Sequence, residues 1–123
     1  GSVGSGLCVA ELTASIKAYW AGSPLGGQGA TVAEAAEGKG VDPRWAPAIS
    51  NTESSKGAHC FLPYNAWGWG VKSWSSWEEA INAHVAGLAN GYGYSITYAN
   101  AAKYCPPNTD HWFKATIGHM KMI

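Results

Sequence analysis

Charge is scarce in this chain. Asp, Glu, Lys and Arg make up 13% of its 123 residues, about half the usual share. What charge there is cancels, with 8 cations against 8 acids and no basic stripe. Nucleic acid is therefore not an expected partner, because phosphate binding needs clustered cations. Adsorption to an anionic membrane surface is unexpected for the same reason. No apolar run approaches the roughly 20 residues of a membrane-spanning helix, so membrane insertion is not expected either. No secretory leader is visible; Gly1-Ser2 reads as the remnant of a cleaved tag, compatible with an export signal removed upstream. Cysteine is sparse too. Cys8, Cys60 and Cys105 are an odd set, which is no disulfide framework. Cys60 and Cys105 fall in loop segments and one bridge between them is the expectation, with Cys8 left over in the first helix.

Phenylalanine is nearly missing, with 2 residues, while there are 7 Trp and 6 Tyr. Trp and Tyr offer flat apolar faces that carry a polar handle. Several must be core anchors, given a 46% hydrophobic composition that calls for a packed globule. The group Trp67, Trp69, Trp74 and Trp77 suggests in addition a surface on which uncharged, hydroxyl-rich ligands could stack.

The periodicities predict an all-α domain, α+β at most, of about six helices with one short loop or β-hairpin flap, occupying 1–123 as a single unit. Leu7, Leu12, Ile16 and Trp20 recur at helical spacing over 7–20. A second helix is expected over about 29–38, stopped by Gly38 and Gly40. Asp42-Pro43 should start a third, with Asp capping and Pro at the first helical position, running into Glu53 and ending before Gly57. Residues 57–75 are rich in Gly and Pro and form the flap. Ser76 and Glu79 have capping-box spacing for a helix of about 76–90. Further helices are expected at about 96–104 and 109–122, separated by Cys105-Pro106-Pro107-Asn108.

Glu53 is the focus of the chemistry. It stands at the end of a buried-looking helix, with Ile49 one turn earlier. An apolar setting disfavours the ionised carboxyl and raises its pKa, as a general acid requires. The flap that follows, Tyr64-Asn65-Ala66-Trp67-Gly68-Trp69-Gly70, combines an amide, two indoles and two glycines. Asn65 could donate to and accept from an N-acetyl group, and Trp67 and Trp69 could pack on a sugar face. His59, His84, His111 and His119 are scattered rather than grouped as zinc ligands would be, so no metal and no cofactor is expected. Cys60 beside His59 does not make a peptidase pair, since chain neighbours rarely face each other.

The ordered series VDPRWAPAISNTESSKG, CFLPYNAWGWG and WSSWEEAI, closed by YANAAKYCPPNTDHW, resembles the bacterial cell-wall glucosaminidases of the lysozyme-like superfamily (glycoside hydrolase family 73 and its relatives). The resemblance covers roughly residues 29–123. It implies a compact lysozyme-like α-domain, secreted to the cell wall, that cuts the glycan strands of peptidoglycan. Carried over to this chain, Glu53 would be the general acid and Ser54 part of its motif. Tyr64, Asn65, Trp67 and Trp69 would line the subsites. Tyr104, or else Tyr98, would be the tyrosine of the cleft. A monomer is expected, alone or within a larger wall protein.

One departure shapes the expected mechanism. Glycosidases with paired carboxylates need a second acid about 5–9.5 Å from the first, yet no Asp or Glu occurs between Ser54 and Trp77. Glu78, Glu79 and Asp110 suit helix N-termini. A single-acid mechanism follows, with the attacking group supplied by the substrate: its 2-acetamido oxygen, or a muramyl 6-hydroxyl as in a lytic transglycosylase. A non-catalytic glycan-binding module on the same scaffold is the alternative from another class.

Overall fold

A computed structural model describes residues 9–60, 62–69 and 72–123. Six α-helices account for most of them: α1 Val9–Trp20, α2 Gly29–Lys39, α3 Trp45–Ser54, α4 Trp77–Gly91, α5 Tyr98–Tyr104 and α6 Thr109–Met122. A 3₁₀ turn, Pro106–Asn108, links the last two. Among the described residues there is no strand, and the described parts of the flap, 57–60, 62–69 and 72–75, are turns, bends and irregular chain. No described helix is long and apolar enough to cross a membrane.

The helices α1 and α2 pack together, α2 continues onto α4, and α6 packs on α3 and α5. The middle of the assembly is α3, in which Trp45, Ala46, Pro47, Ala48, Ile49, Ser50 and Ser54 are all buried. Its small residues let neighbours come close, and its hydroxyls are satisfied internally. Ser50 accepts the Trp20 indole N–H at 3.0 Å and donates to the Pro47 carbonyl at 2.6 Å. Trp20, Trp45, Trp67, Leu12, Ile16, Leu25, Ile49, Ile81 and Leu88 are the largest apolar side chains closed to solvent. Fully burying side chains of this size is worth roughly 1.5–3 kcal/mol each.

The start of α3 differs from the expectation. Asp42-Pro43 forms the turn before the helix, and the first helical residue is Trp45. The Asp42 carboxylate accepts from the Arg44 backbone N–H and from its guanidinium, at 2.9 and 3.1 Å. It is thereby committed to an ion pair instead of a helix cap. Pro47 lies in the first turn, where its missing N–H costs no intrahelical bond. At α4 the Ser76 hydroxyl accepts the Glu79 N–H. The Glu79 carboxylate turns to the N–H and hydroxyl of Ser75, so only half of the capping box forms. A complete box occurs at α5, between Thr97 and Asn100.

Cys60 and Cys105 are both free thiols, which corrects the expected bridge. Cys60 donates to the Gly57 carbonyl at 3.4 Å, and Cys105 ends α5 while packing against the core. Cys8 lies outside the described residues.

Candidate functional site

Glu53 is the penultimate residue of α3, at the negative end of the helix dipole, which opposes ionisation of a carboxyl. It is half-buried. The chain then reverses through two consecutive left-handed residues, Ser55 at φ 52° and Lys56 at φ 60°. With Tyr64 at φ 59°, these are the three non-glycine residues of positive φ among those described. Backbone strain of this kind, of order 1–3 kcal/mol each, is thus concentrated between the acid and its flap.

Ser54, next to Glu53, ties the two together. Its buried hydroxyl lies 3.0 Å from the Ser50 carbonyl, 2.6 Å from the Ala66 carbonyl and 3.0 Å from the Gly57 N–H. Asn65 shapes the flap from within. Its amide donates to the Trp69 and Lys72 carbonyls and accepts the Trp69 N–H at 3.0 Å. Asn65 was expected at the ligand subsites and Ser54 in the motif beside the acid; the polar atoms of both are engaged within the protein. Trp67 is a larger correction. Its indole is 0% exposed, donates to the Ala46 carbonyl at 2.8 Å and stacks on His84 at 5.0 Å, so it anchors the flap to the core.

Two influences act on the Glu53 carboxyl. Burial pushes its pKa above the usual glutamate value, and the Trp112 indole N–H, 2.7 Å from Oε2, partly opposes this. An indole N–H can only donate, so Oε2 accepts. On the protonated acid the proton is then best carried by Oε1. That oxygen lies against Gly68: a Cβ built at position 68 would come within 2.5 Å of it.

Gly68 and Tyr104 also line a cavity of about 410 Å³, together with Trp69, Lys72 and Tyr92. That volume is within the usual range for ligand sites, roughly 300–1,000 Å³. The Tyr104 ring stacks on Trp112 at 4.8 Å, so the residue that lines the cavity also backs the indole holding Glu53. The Tyr104 hydroxyl donates to the Trp67 carbonyl. Its one proton being spent there, the contact with His84 Nε2 at 3.1 Å must have the imidazole donating. His84 is therefore the Nε2–H tautomer, with its buried Nδ1 lone pair left without a protein partner. Burial lowers the His84 pKa to about 3. Burial above all, then the Glu53 charge, holds the Tyr104 phenol well above its usual value. Tyr104 is thus a neutral wall residue, suited to contact a ligand and unsuited to act as a phenolate.

Of the residues singled out in the sequence, the fold brings Glu53, Trp69 and Tyr104 to this place. Tyr64 sits on the outside of the flap, edge-on to Trp77. Tyr98 is 51% exposed and bonded to Asp110. It faces a separate groove of almost wholly exposed residues around Pro106 and Pro107. The sequence reading missed Trp112, Gly68, Tyr92, Lys72 and His84. For Trp112 a signal existed: it shares one helical face with Thr116 and Met120, the buried face of α6. No other carboxylate figures among the influences on the Glu53 pKa. Asp42 is paired with Arg44, Asp110 holds Tyr98, and Glu79 is bound to Ser75. No group of metal-ligating side chains occurs among the described residues.

Comparison with protein-family models, with curated proteins and with solved structures gives no match for this chain.

Proposed function

We propose that this protein is a glycoside hydrolase with a lysozyme-like fold that cleaves β-1,4 bonds of the peptidoglycan glycan strand, in the manner of an endo-β-N-acetylglucosaminidase, outside the cytoplasm. The observation that carries the reading is the Glu53 carboxyl, half-buried with a raised pKa and set against Gly68, a residue that lines an aromatic cavity. In this reading Oε1 gives its proton to the glycosidic oxygen as the bond to the anomeric carbon breaks. No other carboxylate figures among the influences on the Glu53 pKa, which supports attack by the substrate itself. The 2-acetamido oxygen closes an oxazolinium ring that water then opens, or a muramyl 6-hydroxyl attacks and leaves a 1,6-anhydro sugar. Glu53, now a carboxylate, takes the proton back from the water or the hydroxyl. The Trp112 N–H steadies that carboxylate in between.

The same Trp112 contact favours a second reading, a glycan-binding module without activity, because it gives Glu53 a structural use. Digestion of purified peptidoglycan by the parent and by Glu53→Gln, with products identified by mass spectrometry, separates the two. Reducing-end glucosamine products that vanish in the variant support the glucosaminidase, and anhydro-muramyl products a lytic transglycosylase. A folded parent that binds the strands and releases nothing supports the binding module.

A further inference from the structure

The cavity beside Glu53 is not neutral. Trp69, Tyr92 and Tyr104 line it with aromatic residues, and Lys72 is the one basic residue of its lining. The backbone of Lys72 is held in place: its carbonyl accepts the Asn65 amide at 2.9 Å, and its N–H donates to the Trp69 carbonyl at 3.4 Å. Its ammonium has no ion pair or hydrogen bond within the described protein. The contrast with the neighbouring cation is informative. Lys103 lies over the Tyr92 ring, 4.6 Å from its centroid, and donates to the Gly91 carbonyl, so it is already engaged. In a chain this poor in charge, an exposed lysine with no ion pair among the described residues, its backbone held at the lining of an aromatic cavity, is an unusual placement.

An ammonium and aromatic rings in one cavity recognise a ligand that offers an apolar sugar face and an anion within a few ångströms of it. We propose that this cavity is a subsite for a carboxylate-bearing sugar unit, with Lys72 pairing the carboxylate while Trp69 and Tyr92 pack on the ring. The inference rests on the glycan-strand reading above and narrows it, since it sets acidic strands apart from neutral chitin-like ones. In peptidoglycan the carboxylate has two possible sources: the lactyl group of a strand stripped of its peptides, or the stem peptide of an intact one.

The test is equilibrium binding by Glu53→Gln, which removes the acid and leaves Lys72 in place, and by Glu53→Gln carrying Lys72→Met or Lys72→Arg. Four probes are used: intact soluble strands, strands stripped of stem peptides, stripped strands with the carboxylates converted to amides, and chitin oligomers. Glu53→Gln is expected to prefer a carboxylated strand over the amidated one by about five- to tenfold at low salt, as for a charge-assisted hydrogen bond. The preference should shrink as salt rises. Lys72→Met should abolish it without weakening binding to the amidated strand or to chitin, and Lys72→Arg should keep it. Preference for the stripped strand assigns the lactyl carboxylate; preference for the intact strand assigns the stem. Equal binding of carboxylated and amidated strands would overturn the subsite and leave the glycan reading standing. Absence of binding to any of the four by folded protein would overturn both.

Discussion

A carboxyl whose pKa is raised by folding carries a cost with a definite sign. The folded pKa of Glu53 lies above its unfolded value, so its favourable contribution is present at acid pH and is lost as pH rises through the folded pKa. At neutral pH the folded state is penalised. Glu53→Gln keeps an acceptor for Trp112 and removes the ionisation. It should therefore abolish lysis while raising Tm by a few degrees at neutral pH, with the gain shrinking toward acid pH. Thermal melts of parent and variant at two pH values check this, and an equal gain at both would mean that ionisation is not its source. Gly68 is constrained twice, by its φ of +61° and by the Glu53 oxygen that a Cβ would strike. Gly68→Ala should cost about 1–3 kcal/mol and lower activity, read from denaturant unfolding and lysis assays. The place of Glu53 at the end of a helix, one turn after Ile49, was legible in the sequence because that context is local. The roles of Trp67 and Asn65 could not, because an indole or an amide in a Gly-rich loop serves core and ligand equally well until its partners are known. For Trp67 the partner is the Ala46 carbonyl, 21 residues away.

At the scale of elements, α4 supports the cavity through a missing side chain. A Cβ at Gly87 would run into the six-membered ring of Trp69. Alanine gains about 1 kcal/mol of helix propensity over glycine, but here it must tilt the indole. Gly87→Ala should change tryptophan fluorescence and weaken glycan binding several-fold; unaltered emission together with unaltered binding would contradict this. Thr97→Ala removes the complete capping box of α5 and should cost about 1 kcal/mol, measured by urea unfolding. The helices themselves were largely legible. The span 109–122 coincides with α6, and the five others lie within a few residues of their expected bounds. The misses have specific causes. Asp42 read as a cap because Arg44, two residues on, was not considered as its partner. The box at Thr97 was overlooked because its third residue is Asn rather than Glu or Gln. The flap offered no alternating strand, and turns held by the Asn65 side chain leave no period to find.

Across the whole molecule, two imidazoles, His84 buried and His119 partly exposed, link separate elements and make stability depend on pH. His84 of α4 bonds Tyr104 of α5, which bonds the flap at Trp67. His119 of α6 lies 2.8 Å from the Tyr19 hydroxyl of α1 and 3.0 Å from the Asn51 amide of α3. Burial lowers both pKa values, with the Lys56 charge contributing at His119. A depressed histidine pKa means that the unfolded chain binds the extra proton, so stability is complete above the usual value of 6.5 and falls as pH drops below it. For His84, with a folded pKa of about 3, the loss reaches up to about 5 kcal/mol at about 1.4 kcal/mol per unit. His84→Gln should flatten the decline in chemical stability on the acid side, and an unchanged slope would remove His84 from the account. The all-α class followed from helical periodicity, whereas the contacts that join Trp112 to Glu53 and Tyr104 to Trp67 span 59 and 37 residues. The central claim is that Glu53 acts alone as the acid. It is tested most directly by kcat/KM for release of reducing or anhydro ends from purified glycan strands across pH. The account predicts a single alkaline limb with an apparent pKa above the ordinary glutamate range, no acid limb from a second carboxylate, and no activity in Glu53→Gln. Activity that persists in Glu53→Gln, or folded parent protein that releases nothing at any pH, would contradict it.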